Sequence, residues 1–557
     1  MMKNFVQCAF STSWFRGVKV IQSEKVPKAR PDVSPGRSAA KPWEQVRKRF
    51  ASPNGAALTT IFSFEHFVIT LLLMMCAGCS GSDDSPKKST EHTNTNTTTT
   101  TQQADSPGGS EEQQDNGVGG FVLDKDQFQE DLQQQAQDDP PPQTIHRPVL
   151  PDPIQSDEVL NRYGYARYAS KHLLLITDIE PEIANRIVKF ADQEYAAWEK
   201  YFGNLPPAAD GSPFRMVGFL MRDMQPIVEL NLIPPQYRGM RTGGHLQSHF
   251  WMLDQETDYY RRHLLFHEAT HCYMTIMPDT VLPKWYLEGM AELLGTHRLD
   301  QNGRLTFRVM PEDREHYAGW GRIKTIQEEV AAGRMKTIGQ IRAIQRIDPV
   351  DEVRDYAWSW ALCYFLDAHP RYQERFRSLK DHWRSNLFKF QFNRLFEDDM
   401  DDMRLEWRLF VNDLIEGYDV PRAAIEFAEG QPVTGEKQTE IAAGRGWQGT
   451  GWQVEAGQTY RITASGEVTL DDQPKPWISE PQGITLRYAD GMPIGRLAGL
   501  LVESATFEGL LKIDLGRNTT WTAPHTGTLY LRVNDAWNDL QNNEGSFRVT
   551  IDVGAVE

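Results

Sequence analysis

From Pro181 to Phe202 apolar side chains return every three to four positions, at Ile183, Ile187, Val188, Phe190, Ala191, Tyr195 and Trp198. That period lines up one stripe of a helix facing a core. Apolar runs of strand length flank it, Lys171–Thr177 before it and Phe214–Met221 and His249–Leu253 after it. Thr242-Gly-Gly-His245 reads as a loop between the last two. Helical spacing returns from about Asp258 to Met277, from Pro283 to Gly295 and from Asp355 to Leu366. Past about residue 430 the period shortens to two, in Thr459–Ala464, Gly483–Tyr488, Leu529–Val533 and Ser546–Ile551, with turn residues between the runs. The pattern predicts an α+β domain over 149–430 and an all-β sandwich over 431–557.

The N-terminal stretches fit neither period. Residues 67–79 form an apolar run too short to cross a hydrocarbon core of about 30 Å as a helix. Its length suits the apolar part of an export signal, with Arg47, Lys48 and Arg49 as the basic flank. The run ends Cys76-Ala77-Gly78-Cys79 and is followed by Ser-Gly-Ser-Asp-Asp. This ending resembles the bacterial lipobox. The resemblance implies a leader over 1–78, with cleavage before Cys79 and acylation of that cysteine. It also implies a lipoprotein anchored to a membrane of the bacterial cell envelope, periplasmic or surface-exposed, and a start codon assigned too far upstream. Residues 79–148 hold Thr93-Asn-Thr-Asn-Thr-Thr-Thr-Thr-Thr101, several Gln runs and Asp138-Asp-Pro-Pro-Pro142. So few apolar groups cannot offset the entropy of ordering the chain, which predicts a disordered stalk.

Composition removes several function classes. A chain of 557 residues allows two to four domains of about 100–200 residues. Net charge is -17, and the first sixty residues are basic, so the remainder is more acidic than the total. Nucleic acid is therefore not an expected partner. The five cysteines, at 8, 76, 79, 272 and 363, form no disulfide framework. Cys272 and Cys363 read as buried thiols without an activating arrangement.

The candidate chemistry lies in His267-Glu268-Ala269-Thr270-His271. A separation of four residues puts both imidazoles on one helix face, within reach of one ion. Glu268 then sits where a carboxylate can take a proton from water attacking a carbonyl. A catalytic zinc needs a third protein ligand and an open position. Pro283-Lys-Trp-Tyr-Leu-Glu288-Gly-Met-Ala-Glu292-Leu-Leu-Gly295 offers two glutamates one turn apart. Glu288 can ligate while Glu292 hydrogen-bonds a ligand histidine. The competing reading, that both are solvated surface acids, conflicts with Trp285, Leu287, Met290, Ala291, Leu293 and Leu294 crowded around them.

These two segments resemble the gluzincins, the peptidase-MA-like superfamily that includes thermolysin and aminopeptidase N. Their aminopeptidase branch carries Trp-x-x-Glu-Gly-x-Ala, matched by Trp285-Tyr-Leu-Glu288-Gly-Met-Ala291, although sixteen residues between His271 and Glu288 is a slightly shorter gap than in that branch. The resemblance covers roughly residues 165–400. It implies a zincin-like domain with zinc on His267, His271 and Glu288, Glu268 as general base and Glu292 behind the ligands. It further implies a Tyr from a later helix as oxyanion donor, Tyr356 ahead of Tyr364. The Gly-x-Met-Glu-Asn segment that anchors a free amino terminus in aminopeptidases has no match here. Endopeptidase activity is thus favoured, with Thr242–His245 either a border of the substrate cleft or an ordinary turn.

Near the C-terminus, Asn534-Asp535-Ala-Trp-Asn-Asp539-Leu-Gln-Asn542-Asn543-Glu-Gly545-Ser-Phe gathers oxygens of the kind calcium takes. The loop resembles the calcium loop of PA-I-type galactophilic lectins, which implies a calcium ion held by Asp535, Asp539, Asn542 and Asn543 and a glycan partner. Ser479-Glu-Pro-Gln-Gly483 lacks the histidine those lectins use on sugar, so a galactose preference does not carry over, and a structural Asn-rich turn stays open. The combined expectation is an exported, lipid-anchored zinc metallopeptidase acting on peptide or protein substrates. Its rival is a non-catalytic surface adhesin with a degenerate peptidase scaffold, against which the intact Glu268 argues.

Overall fold

The computed structural model describes residues 145–347, 350–383, 387–503 and 510–554. The leader, Cys79 and nearly all of the expected stalk lie outside the described residues. No helix among the described residues is long and apolar enough to cross a membrane.

The first half combines a sheet with helices. After α1 (Asp157–Arg162) come β1 (Ala166–Ala169), β2 (Leu173–Thr177), α2 (Pro181–Phe202), β3 (Met216–Met221), α3 (Gln225–Glu229), β4 (Gly243–Leu246) and β5 (His249–Leu253). The strands form one sheet in the order β1-β2-β3-β5-β4, with the inner three parallel and both edges antiparallel. Every residue of β2 and β3 is buried, because the sheet is covered on both faces. Leu173, Leu175, Met216 and Leu220 join α2 in the main core. Their neighbours Leu174, Ile176, Val217 and Phe219 pack on the other face with Trp251. Alternation between two cores is why these strands read as unbroken apolar runs.

The segment expected to be a loop is an edge strand instead. Gly244 pairs with Trp251 and His245 with Phe250 along β5. Two glycines and a histidine have little strand preference of their own, so the neighbouring β5 imposes the conformation.

The helices continue with α4 (Asp258–Thr275), α5 (Lys284–Gly295), α6 (Arg322–Ala331), α7 (Ile338–Arg342), α8 (Glu352–Ala368), α9 (Gln373–Ser378), α10 (Phe388–Phe396), α11 (Met400–Asp413) and α12 (Val420–Ala423), with a small β6–β7 hairpin (His297–Leu299, Leu305–Phe307) after α5. Thr257 caps α4 by accepting from the Tyr260 amide, a contact worth about 1 kcal/mol. Every residue of α4 from His263 to Met274 is buried. α8 packs closely on α5 because Gly289 has no side chain: a Cβ there would lie 2.5 Å from both the Ser359 carbonyl oxygen and Cys363 Sγ.

The C-terminal region is rich in strands. One sheet is ordered β14-β15-β18-β10-β8 with β16 on β15, and the other β13-β12-β19-β11-β17 with β9 on β19. In chain order these are β8 (Gln431–Pro432), β9 (Lys437–Ala442), β10 (Gln448–Val454), β11 (Thr459–Ser465), β12 (Val468–Thr469), β13 (Ile478–Ser479), β14 (Gln482–Ala489), β15 (Met492–Val502), β16 (Leu510–Asp514), β17 (Asn518–Thr522), β18 (Gly527–Val533) and β19 (Glu544–Val553). Leu529, Leu531 and Val533 of one sheet share a core with Phe547, Val549 and Ile551 of the other. Leu500 and Tyr530 on the opposite face, together with Trp447 and Trp537, belong to the helical core. The strands are thus not an appended module. Buried Arg532 marks the junction, its guanidinium 3.7 Å from the Trp537 ring centroid and 5.5 Å from that of Trp447.

Candidate metal centre

α4 and α5 carry the chemistry between them. His267 and His271 lie one turn apart on α4, and Glu288 faces them from α5. His267 Nε2 is 3.1 Å from His271 Nε2, and Glu288 Oε2 is 3.3 Å from the first and 3.1 Å from the second. All three residues are buried. The two ring nitrogens and one carboxylate oxygen therefore close a triangle of donor atoms that could hold a metal ion. A tetrahedral ion with bonds of about 2.0–2.1 Å sets neighbouring ligand atoms about 3.3–3.4 Å apart, so the donor set fits a metal without rearrangement. The other Glu288 oxygen is 2.6 Å from Lys284 Nζ.

The electrostatics differ between the two histidines. Burial pulls the His271 pKa down to about 4, with the neighbouring imidazoles in the same direction and Glu288 opposing. A neutral imidazole is the form that ligates. Burial also acts to lower His267, but its hydrogen bond to Glu288 and the charges of Glu292 and Glu268 outweigh this and the net shift is upward. For Glu288, burial is overcome by His271, His267 and Lys284, so its carboxyl stays well below the usual range.

Behind the triangle lies a network that only partly follows from the sequence. Glu292, on the same helix face as Glu288, has Oε1 3.5 Å from His267 Nδ1 and Oε2 3.2 Å from His263 Nε2. It accepts two hydrogen bonds from Arg322 of α6, at 3.1 and 2.7 Å. The Arg322 charge, with His263 and His267, holds the Glu292 carboxyl well below its usual range despite burial. His263, His267 and Glu292 form a second group close enough to share an ion. There, however, both carboxylate oxygens are already neutralised by a guanidinium, which disfavours a cation. His263 was within reach of sequence reasoning, four residues before His267. Arg322, thirty residues past Glu292 on another helix, left no signal.

A cleft of about 360 Å³ opens beside the triangle, lined by Thr242, Gly243, His267, Glu268, Arg322 and Tyr356 among others. Glu268 thus faces the same space as His267. Gly243 of β4 makes room for it, since a Cβ there would sit 2.4 Å from Glu268 Oε1. His245, from the same edge strand, places Nδ1 3.4 Å from Glu268 Oε2 and stacks its ring 4.3 Å from that of His271. Thr242 and Gly243 of the Thr242–His245 segment line this cleft. Tyr356 lies edge-on to His267, ring centroids 5.7 Å apart, and burial foremost raises its pKa. Tyr364, the other tyrosine considered for the oxyanion, stacks on Trp360 in the core and does not line this cleft. Cys272 and Cys363 are free and buried.

The C-terminal loop lies between β18 and β19. Asp535 is fully buried, with Oδ1 accepting from the Ala536 amide at 2.8 Å. Asp535 Oδ2, Asn542 Oδ1 and Asn543 Oδ1 are buried without a hydrogen-bond partner. Asn542 Nδ2 donates to Asp539 Oδ1 at 3.2 Å, and Arg487 is 2.5 Å from Asp539 and 3.7 Å from Asp535. Three orphaned oxygens at about 1–3 kcal/mol each suit a bound cation, whereas the guanidinium at the loop's edge competes with one.

No protein-family model matches the chain, and no curated protein matches it. One similar solved structure is described as "EclA N-terminal domain; PllA-like lectin", at 23% identity over 21% of this chain and 95% of that one, with a TM-score of 0.18.

Proposed function

We propose that this chain is a zinc-dependent metallopeptidase of the gluzincin type, with a zincin-like core formed by the β1–β5 sheet and α4–α8. The observation that carries the reading is the His267, His271 and Glu288 triangle, which could hold a cation and whose His267 lines a cleft with Glu268. Zinc bound there supplies a Lewis acid that polarises a carbonyl and lowers the pKa of water. Glu268, facing the same cleft, takes the proton from the attacking water and returns it to the leaving amine. His245 and the gap at Gly243 hold that carboxylate in place. Tyr356 donates its hydroxyl proton to the developing oxyanion from the opposite wall. Lys284 keeps Glu288 ionised, and Glu292 with Arg322 orients His267. The exported lipoprotein with Cys79 as anchor belongs to the same proposal, since an external peptidase is held near its substrates by such a tether.

The C-terminal region adds a second, accessory role. Its unpartnered oxygens on Asp535, Asn542 and Asn543 support a calcium ion, and a glycan is the ligand class we assign to a sandwich built around it. Calcium raising the melting temperature of wild type but not of Asp535→Asn would support this. Absence of any shift at millimolar calcium would remove the ion.

For the peptidase, the decisive comparison is metal content and peptide-library hydrolysis for wild type and Glu268→Gln. One zinc per chain in both, with hydrolysis reduced by about 10²- to 10⁴-fold in the variant, is expected. Stoichiometric zinc without hydrolysis by wild type would favour the adhesin, and a chain without zinc would remove the centre altogether.

A further inference from the structure

A second cavity, of about 420 Å³, lies away from the cleft, where α7 and α10 meet the start of α5. Its volume is within the range of small-molecule sites, about 300–1,000 Å³. Val281, Leu282 and Pro283 give it accessible apolar surface over the buried Trp285, Phe388 and Phe392, while Arg342, Lys389 and Asn393 supply its polar groups. No acidic residue is among its described lining. In a chain with 76 acidic and 59 basic residues, that is the unexpected composition.

Arg342 sets the character of the site. Its guanidinium lies 3.9 Å from the Phe392 ring centroid and donates through Nη2 to Asn393 Oδ1 at 2.6 Å. One edge of the fork is thus fixed, and its carbon lies over an aromatic ring. No carboxylate among the described residues pairs with it, and burial brings its pKa down to about 10, leaving it charged at neutral pH. Lys389 is exposed at the rim and likewise has no described acidic partner. A half-buried guanidinium with no carboxylate partner among the described residues, beside accessible apolar side chains, is suited to a ligand that brings both a carboxylate and an apolar body.

We propose that this cavity binds a carboxylate carried on an aromatic or branched apolar group, the chemistry shared by a free peptide C-terminus and a small apolar acid. The carboxylate pairs with Arg342, with Lys389 adding charge at the mouth, and the apolar group packs on Val281 and Leu282. Trp285 stands one turn before Glu288 on α5, so an occupied cavity bears on the helix that carries the candidate metal ligand. The binding claim itself is independent of the peptidase reading.

The test is titration calorimetry on the full chain with N-acetyl-L-phenylalanine, its neutral amide and 3-phenylpropionate. The acid is expected to bind at least about tenfold more tightly than the amide, with that preference lost in Arg342→Gln. Lys389→Glu, at an exposed position that leaves the core untouched, should weaken the acid and spare the amide, which decides the matter if Arg342→Gln does not fold. Tighter binding of N-acetyl-L-phenylalanine than of 3-phenylpropionate assigns the site to peptide ends, and equal binding assigns it to apolar acids generally. Equal affinity of wild type for acid and amide, no measurable binding of either acid, or an acid affinity unchanged in both folded variants would overturn the proposal.

Discussion

Two groups of the same composition lie one helical turn apart between α4 and α5, and their surroundings give them different roles. His267, His271 and Glu288 converge with only Lys284 as a neighbouring cation, and one carboxylate oxygen still faces both imidazoles. His263, His267 and Glu292 are as deeply buried, yet Arg322 occupies both Glu292 oxygens. Residue type and burial therefore do not distinguish a metal centre from the charged frame behind it. The position of one guanidinium does. A third buried glutamate, Glu194 of α2, extends the contrast: among the described residues it has no cation partner and accepts only from Thr270, at 3.2 Å, and burial drives its pKa well above the usual range.

The comparison breaks most sharply at the histidines. His271→Ala should lose stoichiometric zinc, whereas His263→Ala should retain one zinc per chain, both read by elemental analysis after gel filtration. Zinc retained in the first variant and lost in the second would reverse the assignment of the two groups. Next in size is Arg322→Gln, which leaves Glu292 as an uncompensated buried charge and should cost about 3–5 kcal/mol in urea unfolding. The same change should weaken zinc by about 10- to 100-fold against a competing chelator, because His267 loses its fixed orientation. An unaltered zinc affinity would show that Arg322 only stabilises the fold.

The smallest effect concerns Glu194 and depends on pH. Its folded pKa lies above the unfolded value, so near pH 4 both states are protonated and no penalty exists. As pH rises past that point the unfolded chain releases the proton while the folded one keeps it, and stability falls by up to ~1.4 kcal/mol per unit until the folded pKa is reached. Glu194→Gln does not titrate. It should match wild type near pH 4 and exceed it increasingly toward pH 7, and a difference independent of pH would place the cost elsewhere.

Much of this was legible in the chain. The spacing His267-x-x-x-His271 forces two imidazoles onto one face wherever the helix lies, and Glu288 and Glu292 share a face for the same reason. The inner strands and α2 were legible because apolar period reports burial. Three features were not. Gly243–Leu246 has no strand signature, since an edge strand takes its conformation from its partner. Arg322 reaches Glu292 across two helices, a pairing no local pattern encodes. Tyr356 and Tyr364 lie on one apolar helix, the first favoured by the family resemblance, and only the approach of α8 to α5 through Gly289 puts the first beside His267 and the second in the core.

The sequence by itself determined which residues can meet within a helix, because helical geometry fixes neighbours three and four apart, and it determined where the chain is apolar enough to fold. Tertiary structure alone decided which carboxylate faces both histidines and which is claimed by a guanidinium. It also decided that the β-rich region shares its outer face with the helical core through Trp447 and Trp537. Both outcomes depend on contacts between segments tens of residues apart, and in a close-packed interior the position of such a contact is set by everything packed around it.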